Sequence, residues 1–404
     1  MKSASQTLAI LGEARAMPNG LPFVHPRPPS LDRLKDRLVS MLASGRLTNN
    51  GPYVQAFEAA LARRLDVAHC VAVANATIGL MLVPWVWKLE GEVIVPSFTF
   101  SASVHALVWN RLTPVFVDID PRTLTLDPEA VDAAVSKDTS AIMAVNIFGT
   151  PPDLGGLEAV ARRHHLRLLC DTAQGFGTLY DGRWPGSFGD AEVLSFHASK
   201  VLPTGEGGAV VTNDAETARR LRLAINFGNP GSGDCEMVGL NGKMMEWSAL
   251  LGLEGLETIE QDLASRRSLW QAYQRRLGGI PGITTPQLPP GATMANGQNV
   301  AILVENREFG LTRDELEQVL LAEGIECKKY FDPPAHQMRA YASVRARLTP
   351  LPHTDQVASR VLCLPIHPHL TAADVEAVCG IVEAAHARSA EIVRKIDIRG
   401  ARDR

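Results

Sequence analysis

Between residues 66 and 212 short, unbroken apolar runs alternate with segments of helical periodicity, and this alternation limits the fold more than any other feature. His69–Ala74, Glu92–Val95, Pro114–Asp118, Ser140–Phe148 and Leu166–Asp171 read as strands. Helices are expected between them over Ala76–Leu89, Ser101–Asn110, Asp127–Val135 and Asp153–His165, with Pro84 ending or kinking the first. Strands that show no polar–apolar alternation are buried on both faces. Strands separated by helices need crossover connections, so the pattern implies βαβ units. The fold class is therefore α/β, a mostly parallel central sheet sandwiched by helices. Asp190–Phe196 and Gly208–Thr212 are too close for a helix between them, which admits an antiparallel strand there.

Beyond Glu246 the pattern changes. Glu246–Leu277 reads as one long amphipathic helix bridging to a second unit. Residues 280–296 are rich in Pro and Gly and read as a linker. Strand Asn299–Glu305, helix Thr312–Glu323, a loop over 330–352, and helices Thr354–Val361 and Thr371–Ala387 make a small α+β unit. The division is an N-terminal arm (1–30), a large domain (31–250), a bridging helix with a small C-terminal domain (251–388) and a charged, frayed tail (389–404).

Forty Lys and Arg against 44 Asp and Glu give a net charge of −4, with no basic field for nucleic acid. No apolar run reaches the roughly 18–20 residues that span a bilayer, and the start of the chain lacks the apolar core of a signal peptide. The chain reads as a soluble cytoplasmic protein. Its six cysteines are scattered without CxxC spacing, so no disulfide framework is expected. His164-His165 and His367/His369 lack Cys or carboxylate partners at ligand spacing, and no metal is expected. Arg266-Arg267 reads as the solvated face of the long helix.

Ligands on parallel sheets bind beyond the carboxyl ends of the strands. Three polar residues there matter together. Asp171 directly follows an apolar run, where a carboxylate needs a cation or donor beside it. Alone it could be a cap or a structural ion pair. Lys200 precedes Gly205-Glu206-Gly207-Gly208, whose glycines allow close backbone approach to a ligand. Alone it reads as a surface charge. Thr77 opens a helix, a ready anion site, or else an ordinary cap. In chain order they give a phosphate cup, an aromatic (Phe100) after the next strand, an aspartate and then a lysine. Pyridoxal phosphate (PLP) needs that set: a lysine for the Schiff base, an aspartate to keep the ring nitrogen protonated, and an aromatic face.

The motifs Thr48-Asn49-Asn50-Gly51-Pro52, Asn75-Ala76-Thr77, Pro96-Ser97-Phe98-Thr99-Phe100, Asp171-Thr172-Ala173-Gln174, Ser195-Phe196-His197-Ala198-Ser199-Lys200, Gly205-Glu206-Gly207-Gly208 and Asn241-Gly242-Lys243-Met244 carry a resemblance. Over about residues 20–388 the chain resembles the DegT/DnrJ/EryC/StrS sugar aminotransferases, of the fold type I, aspartate aminotransferase-like PLP enzymes. The resemblance implies that Lys200 is the Schiff-base lysine and the base of the proton shift, and that Asp171 pairs with the pyridinium. It implies that Phe100 and Ala173 flank the ring and that Gln174 lies near its hydroxyl. Ala76, Thr77 and Ser195 would hold the phosphate, joined by Asn241 of a second subunit, which makes a homodimer with shared sites.

Asn75-Ala76-Thr77 departs from the commoner Ser-Gly-Thr, and Lys243 stands where many members have Arg. With Asn226-Phe227-Gly228, Lys329-Tyr330-Phe331, Pro333-Pro334 and His336, these positions resemble the branch that aminates carbon 4 of dTDP-4-keto-6-deoxyglucose. Lys329, Tyr330 and His336 are its candidate substrate contacts. The implied reaction is ping-pong, from L-glutamate to the keto sugar, with pyridoxamine phosphate as the intermediate form of the cofactor. Other nucleotide-linked keto sugars, aminated at C-3 or C-4, and cyclitol ketones are the alternatives. More distant ones are a sugar dehydratase or lyase, and a non-catalytic binding protein. Lys200 argues against a dehydratase, whose relatives replace that lysine with histidine.

Overall fold

The computed structural model describes residues 8–402. Thirteen strands are formed among them: β1 (His69–Val73), β2 (Glu92–Pro96), β3 (Thr113–Val117), β4 (Thr139–Val145), β5 (Arg167–Thr172), β6 (Leu179–Tyr180), β7 (Ala191–Ser195), β8 (Gly208–Thr212), β9 (Ile283–Thr284), β10 (Ala292–Met294), β11 (Val300–Val304), β12 (Arg347–Leu348) and β13 (Val361–Leu364). Helices α1 (Leu31–Ser44), α2 (Pro52–Leu65), α3 (Ala76–Trp87), α4 (Ser101–Trp109), α5 (Pro128–Ala134), α6 (Leu154–His164) and α7 (Ala215–Ala224) accompany the first eight strands. The rest of the chain carries α8 (Glu246–Leu256), α9 (Ile259–Leu277), α10 (Asn306–Phe309), α11 (Arg313–Ala322), α12 (Pro352–Arg360), α13 (Ala372–Ala387) and α14 (Ser389–Arg402).

Eight strands form the central sheet in the order β1-β8-β7-β5-β4-β2-β3-β12. Only β8 runs antiparallel, and it does so to both neighbours. The short β7–β8 connection dictates this, because it leaves no room for a crossover helix. Strand interiors are buried along their length, as the unbroken apolar runs demand. A second sheet, β13-β11-β9, is antiparallel and packs against α9, α11 and α13 through Leu316, Val319, Val378 and Val382. Leu8 and Ile10 of the N-terminal arm belong to that same core.

Four expectations are corrected. Helix α3 runs through Pro84 to Trp87, because the buried apolar face of the helix outweighs one missing hydrogen bond. The long bridging helix is two helices, broken at Glu257-Thr258, where the Thr258 N–H turns back to the Gly255 carbonyl at 3.2 Å. Gly252 and Gly255 sit in α8, and a side chain at Gly252 would strike the Phe57 ring. These glycines favour close packing on α2 and weaken the helix end. The loop over 330–352 carries the edge strand β12, which no apolar run announces. Arg347 pins it by donating from Nε and Nη2 to the two carboxylate oxygens of Glu92, at 3.1 and 2.9 Å. The tail expected to fray continues as α14, anchored by the fully buried Ile392.

Candidate active site

The carboxyl ends of β5 and β7, the starts of α3 and α4, and the β7–β8 connection surround a cavity of about 400 Å3. Ala76, Thr77, Phe100, Asp171, Ser195 and Lys200 all line it, so the sheet brings together residues far apart in sequence.

Asp171 is 5% exposed, near the end of a strand paired on both sides. Ser103 Oγ donates to its Oδ2 at 2.7 Å, and the Ala173 N–H donates to Oδ1 at 3.1 Å. Thr99 and Ser103 share a further hydrogen bond of 2.8 Å, one helical turn apart at the start of α4. Burial pushes the Asp171 carboxyl above its ordinary range, and the two donors and the charge of Lys200 oppose that shift. Burial also pulls the Lys200 ammonium below the usual lysine range, against the pull of Asp171. Such a lysine reaches its neutral form, the nucleophile and base, more readily than a solvated one.

The opposite end of this wall is built for an anion. Asn75 caps α3, its side chain accepting from the Ile78 N–H at 3.0 Å. The cap leaves the Ala76 and Thr77 amides to the cavity, at the positive end of the helix. Gly208 lies opposite in β8, and a Cβ there would sit 2.7 Å from the Ala76 nitrogen. Its lack of a side chain keeps the amide clear. Ala173 and Gln174 continue beyond Asp171, and Gln174 Oε1 accepts from the Phe148 N–H at 2.6 Å.

Three named residues lie elsewhere. Lys329 is held by Asp314 and Glu317, at 3.2 and 2.8 Å, and does not line the cavity. His336 faces Ser97 Oγ at 2.7 Å and Asp355 at 3.3 Å, also away from the lining. Charge pairing and a hydroxyl partner thus satisfy both candidates where they stand. Asn241 is exposed, bridged to Asn226 and outside the cavity of its own chain. Tyr330, by contrast, does line the cavity.

Other lining residues escaped the motif reading: Asn146, Arg266, Gln298, His25 and His367. Arg266 corrects the expectation of a solvated helix face, being only 4% exposed. Its position was legible in principle. Leu263, Arg266, Trp270 and Tyr273 recur at helical spacing, which puts Arg266 on the buried stripe of α9. Ser103 could have been found from Thr99 four residues earlier. Nothing local marks Gln298 or His367, which depend on the packing of the second sheet.

The fold and this constellation define a PLP-type aminotransferase scaffold. Residues 31–383 match the model of the DegT/DnrJ/EryC1/StrS aminotransferase family, and the chain belongs to that family. It is 36% identical over 357 residues to a dTDP-4-amino-4,6-dideoxy-D-glucose transaminase of Shigella dysenteriae, covering 88% of this chain and 96% of the relative. It is 32% identical to GDP-perosamine synthase of Caulobacter vibrioides, over 90% of this chain and 98% of that one. The solved structure of DesI with its TDP-sugar product superposes with a TM-score of 0.90 at 39% identity, covering 96% of this chain and 99% of that one. The family is PLP-dependent.

Proposed function

We propose that this aminotransferase binds PLP and moves an amino group from L-glutamate to a nucleotide-linked keto sugar, at C-4 of dTDP-4-keto-6-deoxyglucose. The observation that carries the reading is one cavity lined by the buried Asp171 and the half-buried Lys200, each within reach of the other's charge, and by the free amides at the start of α3. The residues present fit PLP on three counts. The Ala76 and Thr77 amides are left to the cavity by the Asn75 cap, Gly208 leaves a cradle that a Cβ would fill, and the buried Asn146 Oδ1 has no partner.

PLP, when bound, supplies an electron sink for a proton leaving the carbon beside the amine. The chain's own residues supply the rest. Ala76, Thr77 and Ser195 would hold the phosphate. Ser103 and the Ala173 amide oppose the upward push of burial on Asp171, and Asp171 would keep the ring nitrogen protonated. Phe100 and Ala173 would confine the ring, and Gln174 would serve its hydroxyl. Lys200 holds and moves a proton at Nζ, which its lowered basicity suits. Two subunits would share each site, with Asn241 reaching the phosphate region of the partner.

The choice of sugar is supported by the names of the relatives: the Shigella transaminase and DesI both concern dTDP or TDP sugars. GDP-perosamine synthase, at comparable identity, favours a second reading with another nucleotide. All six cysteines are free, which suits the reducing cytoplasm.

The test is incubation with PLP, L-glutamate and dTDP-4-keto-6-deoxyglucose, with product analysis by mass spectrometry. A dTDP-amino sugar is expected. Its absence, with an amino sugar formed from GDP- or UDP-keto sugars instead, would move the assignment to that nucleotide.

A further inference from the structure

We propose that Arg266, with His367 and Gln298 beside it, forms the subsite that holds a carboxylate of the amino donor. The inference rests on the aminotransferase reading above and names what one wall of that cavity recognises.

Arg266 is a buried cation without a carboxylate partner. It is 4% exposed, and among the described residues no carboxylate lies within ion-pair distance of it. The neighbouring acid, Asp262, is engaged by Arg27 at 2.9 Å. Both hydrogen bonds of Arg266 leave from Nη1, to the Gly297 and Ile366 carbonyls at 3.2 Å each. Those bonds fix the plane of the guanidinium. Nε is buried and has no partner, so the Nε–Nη2 edge is unspent. That edge presents two parallel N–H donors, the geometry that binds one carboxylate through both of its oxygens.

The neighbours point the same way. His367 is 3% exposed; its ring approaches the Pro22 carbonyl, and neither nitrogen completes a well-formed hydrogen bond. Gln298 is 7% exposed, its Nε2 donates to the Ser199 carbonyl at 2.9 Å, and its Oε1 is unpartnered. Gln298 therefore ties this wall to the residue just before Lys200. Buried polar atoms are almost always satisfied. Three unspent side chains lining one cavity await a ligand. Burial holds the His367 imidazole down to about 4, so it is neutral at neutral pH and adds a donor without repelling Arg266. A single guanidinium edge in a deep recess suits one carboxylate better than a diphosphate, whose several anionic oxygens need more donors.

The probe is succinate, an unreactive dicarboxylate with no amino group to transfer. Succinate is titrated calorimetrically into the PLP-loaded enzyme, with inorganic pyrophosphate as the control anion. The wild type should bind succinate, in competition with L-glutamate. Arg266→Lys keeps the charge and loses the two-donor edge. It should raise the succinate dissociation constant and the KM for L-glutamate by roughly ten- to hundredfold. The KM for the keto sugar and the binding of pyrophosphate should stay within about twofold, against a difference that large. His367→Phe, which leaves the Arg266 carbonyl bonds in place, should weaken succinate by several-fold and covers the case of an unstable Arg266→Lys protein. Failure of the wild type to bind succinate, or unchanged succinate binding in a folded variant, would overturn the subsite. So would a selective loss for pyrophosphate or the sugar. Absence of any amino-sugar product would instead overturn the aminotransferase reading, and calorimetry, needing no turnover, would still decide the subsite.

Discussion

The two walls of the cavity are built on opposite principles. On the sheet wall most key groups already have partners, Asn146 Oδ1 and Lys200 Nζ excepted: Asp171 holds Ser103 and Ala173, Gln174 holds Phe148, and Asn75 caps α3. On the wall from α9 and the second sheet, Arg266, Gln298 and His367 keep polar atoms without partners. Satisfied networks are rigid and hold one geometry. Unsatisfied ones cost stability until a ligand arrives. The first wall suits a resident cofactor, and the second suits a donor that comes and goes. Substitutions on the sheet wall should therefore damage the chemical step, and substitutions on the other wall should damage affinity for one substrate.

The largest effect is expected from Lys200→Ala. Loss of the lysine at the cavity base should cut turnover by roughly 10³-fold or more, the scale of a lost acid–base group. It should also abolish the visible absorption band of lysine-bound cofactor. A variant that kept the band would move the cofactor lysine elsewhere.

Asp171→Asn is next, with turnover falling by about 10²-fold as the charge facing the ring nitrogen is lost. Its effect on the empty protein should run the other way. Because burial raises the folded pKa of Asp171, its ionised form costs stability. The cost is absent well below the usual carboxylate pKa, and it is fully present once the pH exceeds the folded value. A neutral amide at this position would escape it. The cofactor-free variant should therefore melt no lower than the wild type at neutral pH, and a marked drop would mean that Asp171 serves packing rather than the cofactor.

This half of the molecule was legible because its chemistry is local. Asp171 stands at the end of an apolar run, Asn75-Ala76-Thr77 opens a helix, and the glycines at 205, 207 and 208 follow Lys200 within a few residues. Each signal sits on a strand end, and the parallel sheet gathers strand ends on one edge. The other wall was not legible in the same way. Arg266 looked like a surface charge beside Arg267, and only its phase on α9 separates the two. His367 and Gln298 come from segments whose neighbourhood is set by the second sheet. Lys329 and His336 show the converse case, lying outside the cavity lining of their own chain. Their type suited a substrate, but Asp314, Glu317 and Ser97 satisfy them first. Residue type and order carry the sheet wall; pairing, which no single sequence displays, decides the rest.

Ser103→Ala tests whether the sheet wall works as a unit. The Ser103 hydroxyl opposes the upward push of burial on Asp171, so its loss should raise the Asp171 pKa further. Activity that needs the carboxylate is retained at high pH and lost as pH falls. The acid limb of the kcat profile should therefore move to higher pH, with cofactor affinity down about tenfold at neutral pH. An unmoved acid limb would separate Asp171 from the Thr99–Ser103 pair.

The smallest effect should come from a residue whose motif resembles function and whose structure is architecture. Glu246 is fully buried and accepts from the Tyr53 and Val54 amides, at 2.8 and 3.1 Å. It caps α2 from far along the chain, as an acidic group at a helix N-terminus should. A Cβ at Gly51 would lie 2.7 Å from its carboxyl carbon, which explains the glycine in Asn49-Asn50-Gly51-Pro52. Glu246→Gln leaves one acceptor oxygen and turns an NH2 toward the other amide. It should cost about 1–2 kcal/mol, read as a drop of a few degrees in melting temperature. Values of kcat and KM should not change. A kinetic loss at unchanged stability would place Glu246 with the site, and the two-wall division would then need a third element, the α2 cap.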